Sequence, residues 1–402
     1  MNPSTPAPQR IHFIANCMYG THLAGGDVHF FRMAEAAHLA GYDVRFIGGH
    51  ALQHHLRQQN LPYPISLTDR RMLKGINPLT IRGQFHLFAD YFARFVRSLR
   101  FVRKIDREDL VYAVSDFWFD SIPAILSSAK RRLMLFEMES PTFREVLTAG
   151  RPDVVGNRMA SLHYCLSQGL ALRWFAACKC KKLLYVHPDM KAGLMKAGYS
   201  DDELVYVPNG VDSTPARNTP ESSKQYDLVW IGRLHRQKGI DDLIKVLVFL
   251  SKHLEGFRAV LAGPPPADLQ VLLGEAGIAD HVDLVGFVSD EKFRLLKASR
   301  LFLMPSHYES WGIVIGEAVC SGTPVLAYDL EPYRAVFRSV IHTVKSFDTD
   351  ALSRSALDLI RRSRQGNVPL DRVASEAFAQ NNSWETVSGS FVEMLRRLQP
   401  PV

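Results

Sequence analysis

The chain has 402 residues, 47% of them apolar and 22% charged, an ordinary globular composition with length enough for two domains and full cores. Five cysteines without a C-x-x-C pair argue against a disulfide framework or zinc ribbon, and no apolar run of about 18 residues is present to span a membrane. The net charge of +7 is uneven, with 26 Lys and Arg against 15 Asp and Glu in residues 1–200, and 22 against 26 in residues 201–402.

A basic half suits a phosphorylated substrate, an anionic lipid or nucleic acid. No basic region, finger or aromatic RNA-binding strand motif is visible, so nucleic acid is not expected as a partner. The opening stretch MNPSTPAPQR is polar and proline-rich, without an apolar leader, so the expected setting is a reducing cytoplasm.

In chain order, Ile11–Ala15 reads as a strand, Gly25-Gly26 opens a helix running to Leu39, Gly41 closes it, and Val44–Ile47 begins the next strand. Gly20–Gly26 lacks the G-x-G-x-x-G spacing of a nicotinamide site. The stretch FHLFADYFARFVRSLRFVRK (85–104) repeats Phe85, Phe88, Phe92, Phe95 or Val96, Leu99 and Val102 at helical spacing. Arg97, Arg100 and Lys104 gather away from much of that stripe. It reads as a crossover helix packing its stripe on the first sheet, or as one that also docks at an anionic lipid surface. Strands follow at Leu110–Val114, Leu133–Phe136 and Leu183–Val186.

Pro208-Asn209-Gly210 and the Pro/Ser/Thr-rich stretch 213–223 mark a break. A second series then runs through Leu228–Ile231, Arg258–Ala262, Val282–Val285, Leu301–Met304 and Val325–Ala327. The pattern predicts two Rossmann-like, doubly wound parallel-sheet domains, 1–207 and 208–383, facing a cleft at the carboxyl ends of their strands. Residues 384–402 are expected to form a helix returning to the first domain.

The chemistry concentrates in the second series. Gly232-Arg233-Leu234 follows its first strand, and Lys238-Gly239 precedes an amphipathic helix. A guanidinium fork and an ammonium at a strand's carboxyl end together suit a diphosphate, although either cation alone reads rather as solvated. In ESWGIVIGEAVCSGTPV (309–325) a helix is expected to begin near Gly312, leaving Glu309 in the preceding loop and Glu317 inside. Its unpaired N–H groups form an anion site. A carboxylate on so apolar a helix needs a partner, either a bound polyol or a neighbouring Arg. Asp348-Thr349-Asp350 spells a metal motif of another transferase fold but precedes Ala351-Leu352 as a helix cap would.

Together, G-R-L followed by K-G, PNGVD (208–212), GFVSDEK (286–292) and E-x7-E running into EAVCSGTPV resemble the GT-B glycosyltransferases of family 4. The likeness covers most of the chain and is strongest over about 183–330. It implies a GT-B α/β fold and a retaining, metal-independent transfer of a sugar from a nucleotide-diphosphate sugar to a glycan or lipid-linked acceptor. The first domain would be the acceptor domain and the second the donor domain. By resemblance, Glu317 accepts from the ribose hydroxyls and Glu309 holds the transferred sugar. Backbone groups of Gly312, Ile313 and Val314 meet phosphate or sugar oxygens, Arg233 and Lys238 neutralise the departing diphosphate, and the main chain near Val288 faces the base. Gly25-Gly26 matches the glycine loop that closes on the donor phosphates. The chain departs from the family at 135–144, LFEMESPTFR, where many members carry a histidine by the donor sugar; Glu137 and Glu139 are candidates for that pocket. The family also implies contact with the inner membrane face. A GT-B nucleotide-sugar epimerase and an inactive nucleotide-sugar binding module are the alternatives.

Overall fold

A computed structural model describes residues 9–20, 23, 25–72, 80–148, 158–233, 236–263 and 269–398. The chain divides into two compact units, Met1–Pro208 with Ser388–Val402, and Asn209–Val387. The divisions expected after 207 and 383 thus fall after 208 and 387.

In the first unit, β1 (Arg10–Ala15), β2 (Asp43–Gly48), β3 (Ile65–Leu67), β4 (Leu110–Ala113), β5 (Arg131–Phe136), β6 (Lys181–Tyr185) and β7 (Leu204–Tyr206) form a parallel sheet in the order β3-β2-β1-β4-β5-β6-β7. The central strand β4 and the carboxyl-terminal halves of β1 and β5 are apolar because helices cover both faces of such a sheet. The chain's last helix, Trp384–Arg397, contributes Phe391, whose ring centroid lies 5.9 Å from that of Tyr112 on β4. Arg131 donates to the Leu398 carbonyl at 3.0 Å.

In the second unit, β8 (Tyr226–Ile231), β9 (Ala259–Ala262), β10 (Val282–Gly286), β11 (Ser299–Met304), β12 (Val325–Tyr328) and β13 (His342–Val344) form a parallel sheet ordered β10-β9-β8-β11-β12-β13. Its core joins Trp230, Leu301 and Tyr328 from the strands to Leu243 and Leu247 of the Ile240–His253 helix and Leu352 and Ile360 of the Thr349–Arg364 helix. The strand order reverses between β1 and β4 in one sheet and between β8 and β11 in the other. Loops leaving two such strands diverge to opposite faces and leave a crevice at their carboxyl ends.

The Ile81–Val102 helix corrects the expectation that its phenylalanine stripe lies on the sheet. Phe85, Phe88, Phe92 and Val96 are exposed, while Arg94, Ser98 and Val102 are buried. Arg94 is held by ion pairs to Asp90 at 2.7 Å and Asp69 at 3.2 Å, and donates to the carbonyls of Asn16 and Met18 at 3.0 and 2.6 Å. A guanidinium with two ion-paired carboxylates can face inward, and here it anchors the loop after β1.

Candidate functional site

At the reversal in the second sheet, the segment after β8 meets the loop after β11. Gly239 caps the Ile240–His253 helix with a left-handed backbone, φ +69°, and a Cβ there would stand 1.9 Å from the Pro305 carbonyl oxygen. Only glycine allows that approach. The contact is laced by Gln237, whose carbonyl accepts from the His307 N–H at 2.9 Å and whose side chain donates to the Tyr308 carbonyl at 3.1 Å. Lys238 is thereby placed in an ion pair with Glu309 Oε1. Ser306 Oγ donates to the same oxygen at 2.8 Å. Glu309 is only 8% exposed, so its charge depends on these two partners. Lys238 is therefore engaged rather than free, although an ammonium has three donors and only one is used on Glu309. Arg233 is exposed and makes no hydrogen bond or ion pair among the described residues. Leu234 of the same motif lies outside them.

Gly312, at φ +98°, starts the Ile313–Cys320 helix, and no side chain caps it. The N–H groups of Ile313 and Val314 occupy the first turn, where a helix supplies no acceptor, so they face outward with the positive end of the dipole. A Cβ on Gly312 would meet Tyr333 at 3.1 Å, and one on Gly316 would meet Val211 at 2.4 Å, so the helix sits tightly between its neighbours. Glu317 is 2% exposed. Its Oε1 pairs with Lys292 of the Glu291–Lys297 helix, while its Oε2 is buried without a hydrogen-bond partner. Burial raises the Glu317 pKa, the Lys292 ammonium opposes that, and the Asp212 and Asp290 carboxylates add to the rise. The partner of this carboxylate is a lysine from another helix, where a polyol or an arginine was expected. Val288 is half-buried in the segment between β10 and that helix.

Asp348 accepts from the Ala351 N–H at 2.8 Å and caps the Thr349–Arg364 helix. Thr349 donates to Asp242 at 3.0 Å, one of three hydrogen bonds, with those from His307 and Tyr328, that bring the Asp242 pKa down to about 2 despite its burial. Among the described residues, no group of three or more His, Cys, Asp or Glu is arranged to hold a metal ion.

In the first unit, Gly25 and Gly26 open the Gly25–Leu39 helix; residues 21, 22 and 24 of the same loop lie outside the described ones. A Cβ on Gly26 would stand 2.2 Å from Glu137 Oε2, so the carboxyl group of Glu137 lies against this helix start. Burial, with Asp27 and Asp116 adding repulsion, pushes the Glu137 pKa up to about 7. Burial does the same for Asp116 and Asp120, each raised to about 7. Asp116 accepts from Gln168, and Asp120 from Ser115 at 2.6 Å and the Asn16 N–H at 2.5 Å. Glu139 is exposed and borders Gly193, where a Cβ would be 3.5 Å from its Oε1.

The sequence-predicted residues thus fall into three local groups: Lys238 with Glu309, the Gly312 helix start with Glu317, and Gly26 with Glu137. Lys292 and Ser306 were not anticipated. Lys292 ends the GFVSDEK motif and Ser306 lies three residues before Glu309, but nothing in the spacing shows which carboxylate each would meet.

This chain has the GT-B fold. Over 97% of its length it superposes on the whole of Anabaena Alr3699/HepE, crystallised in complex with UDP and glucose, with a TM-score of 0.69 and 15% identity. Residues 213–368, which hold both glutamates and both lysines, match the family described as Glycosyl transferases group 1. Alpha-D-kanosaminyltransferase of Streptomyces kanamyceticus is 33% identical over 106 residues, 26% of this chain and 28% of that protein. Phosphatidyl-myo-inositol mannosyltransferase of Mycobacterium leprae is 29% identical over 169 residues, 40% of this chain and 45% of that protein. The chain spans about half or less of the length of these curated relatives.

Proposed function

We propose that the protein is a retaining, metal-independent glycosyltransferase that moves a sugar from a nucleotide-diphosphate sugar to a glycan or lipid-linked acceptor. The observation that carries this reading is the Lys238–Glu309 pair beside the uncapped helix start at Gly312. In the reaction, the bond from the anomeric carbon to the diphosphate oxygen breaks and its electron pair leaves with the nucleoside diphosphate. The acceptor oxygen bonds to that carbon on the same face, and its proton passes to the departing phosphate oxygen. The main catalytic task is to stabilise the charge growing on the diphosphate. Lys238, with two donors beyond its bond to Glu309, Arg233 and the Ile313 and Val314 N–H groups meet that charge. Glu309 faces the sugar ring as it gains positive charge, and Glu317 takes the ribose hydroxyls. In the first unit, Glu137 and Glu139 serve the sugar or acceptor pocket.

Calorimetry with UDP and GDP in excess EDTA tests this reading. One nucleotide should bind, and Lys238→Ala should weaken it about ten- to a hundredfold by removing charge-assisted bonds. Turnover of the matching nucleotide sugar should survive EDTA and yield a glycosylated product with retained configuration. An epimerised nucleotide sugar would support the epimerase alternative, and binding without turnover the inactive module. Absence of nucleotide binding, or an unchanged Lys238→Ala affinity, would remove the assignment.

The first unit supports a lipid-linked acceptor through a surface built on two helices. Among the described residues no helix is long and apolar enough to cross a membrane. On Ile81–Val102, Phe85 is 70% exposed, and Phe88, Phe92 and Val96 continue its stripe. Phe88 reaches His163 of the Arg158–Ala176 helix, with ring centroids 5.5 Å apart. That helix exposes Met159, Leu166, Leu170 and Trp174. Arg82, Arg100, Arg158 and Arg173 are exposed on the two helices, whereas their one acid, Asp90, is half-buried and paired with Arg94. An apolar face with cations at its margins fits an anionic bilayer surface. Co-sedimentation should show binding to phosphatidylglycerol vesicles, weak binding to phosphatidylcholine, and a loss of at least tenfold in Phe88→Ser/Phe92→Ser. Equal affinity of the parent and the variant would exclude this face.

A further inference from the structure

We propose that Lys292 is a positioning residue for the nucleoside half of the donor: it holds one oxygen of Glu317 in an ion pair and leaves the other oxygen to the ribose. This rests on the reading of the second unit as the nucleotide-sugar site.

A carboxylate as enclosed as Glu317 loses its hydration and moves toward the neutral form. The groups around it pull in opposite directions: Asp212 beside the Ser213–Asn218 helix and Asp290 before the Glu291–Lys297 helix favour protonation, and Lys292 favours the charge. The thiol of Cys320, one turn further along the same helix, is itself pushed up to about 12, chiefly by burial, and stays neutral. Lys292 is thus the cation among these neighbours that ion-pairs with Glu317.

A pair serving stability alone would satisfy both oxygens. Here Lys292 takes Oε1, and Oε2 remains buried without a hydrogen bond. A buried acceptor left open is costly, and a hydroxyl-bearing ligand relieves it. The lysine's place in the chain matters as well. It opens the helix directly after the 287–290 segment containing Val288, so one ion pair ties the proposed base contact to the proposed ribose contact.

The arrangement repeats at Glu309, where Lys238 and Ser306 also take Oε1. Each glutamate is neutralised through a single oxygen by a lysine from a neighbouring element. The two pairs have no net charge, so the glutamates do not repel an arriving diphosphate, and Arg233 adds a positive charge.

Calorimetry and steady-state kinetics on Lys292→Met and Lys292→Arg test the proposal, with UDP, GDP and inorganic pyrophosphate as probes. Lys292→Met should weaken the nucleoside diphosphate and raise donor KM about ten- to a hundredfold, with kcat within about threefold of the parent. Pyrophosphate affinity should not change. Without the ammonium the Glu317 pKa rises further, so the variant's nucleotide affinity should improve more steeply between pH 6 and 8.5 than the parent's. Lys292→Arg should restore most of the loss. In a Glu317→Gln background, Lys292→Met should add less than about twofold, because the carboxylate it positions is already gone. An unchanged nucleotide affinity in Lys292→Met, or an equal loss in the Glu317→Gln background, would overturn the proposal. Failure of the parent protein to bind UDP or GDP would instead remove the nucleotide-sugar reading on which it depends.

Discussion

Two sets of enclosed carboxyl groups, one from each unit, are treated in opposite ways, while Asp69 of the first unit, paired with Arg94, stands outside this contrast. In the second, Glu309 and Glu317 each meet a lysine. In the first, Glu137, Asp116 and Asp120 have no ion pair among the described residues, and burial raises all three to a pKa of about 7. A lysine beside an enclosed carboxyl group favours its charged form, although at Glu317 burial still raises the pKa. An unpaired one near neutral pH is half-titrated, so it can both accept and donate. The second set has ammonium groups beside its carboxyl groups, and the first sits where burial brings carboxyl groups to a pKa near neutral.

The largest expected effect separates the two paired glutamates. Glu309→Gln removes the charge proposed to face the sugar as its ring becomes positive, an interaction that strengthens in the transition state. It should lower kcat about a hundredfold and change donor KM by less than threefold. Glu317→Gln should instead raise donor KM about tenfold with kcat nearly kept, because ribose bonds are alike in ground and transition states. The reverse pattern would exchange their roles, and unchanged kinetics in both would make the pairs structural.

A smaller effect tests the pairing itself. Lys238→Ala leaves Glu309 enclosed without its cation and should destabilise the protein by about 1–3 kcal/mol in chemical denaturation. Adding Glu309→Gln should recover at least half, because a neutral amide keeps the Ser306 hydrogen bond. A double variant as unstable as the single would mean that Lys238 acts through packing.

Much of this was legible in the chain, for physical reasons that also explain the omissions. Central strands such as Leu133–Phe136 and Leu301–Met304 are continuous apolar runs because both of their faces are covered. The missed strands are β3, β7 and β13, each three residues long at a sheet edge, where Ile65-Ser66-Leu67 and His342-Thr343-Val344 are only partly buried and carry no such signal. The 85–104 periodicity identified a helix but not its inner face, because a guanidinium normally reads as solvated and here Arg94 is the buried anchor. Glu309, Gly312 and Glu317 lie within nine residues, so local spacing finds them. Their lysines come from 71 and 25 residues away, and only the folded sheet brings them in.

The smallest expected effect concerns the unpaired side of the comparison, and its sign follows from linkage. Glu137 has a pKa of about 7 in the folded protein against an ordinary 4.5, so between those values the folded state keeps a proton that the unfolded state releases. The stability this contributes is fully present below about pH 4.5 and is lost as the pH rises through about 7. Asp116 and Asp120 act in the same direction from an ordinary 3.8. The parent protein should therefore lose stability on going from pH 5 to pH 8. Glu137→Gln, which keeps the side chain's size against Gly26 but cannot ionise, should reduce that loss by about 1 kcal/mol, discounted for its partial exposure. Denaturation midpoints at the two pH values measure it. An unchanged slope would mean that Glu137 is ionised throughout this range, and the contrast between the units would then rest on Asp116 and Asp120 alone.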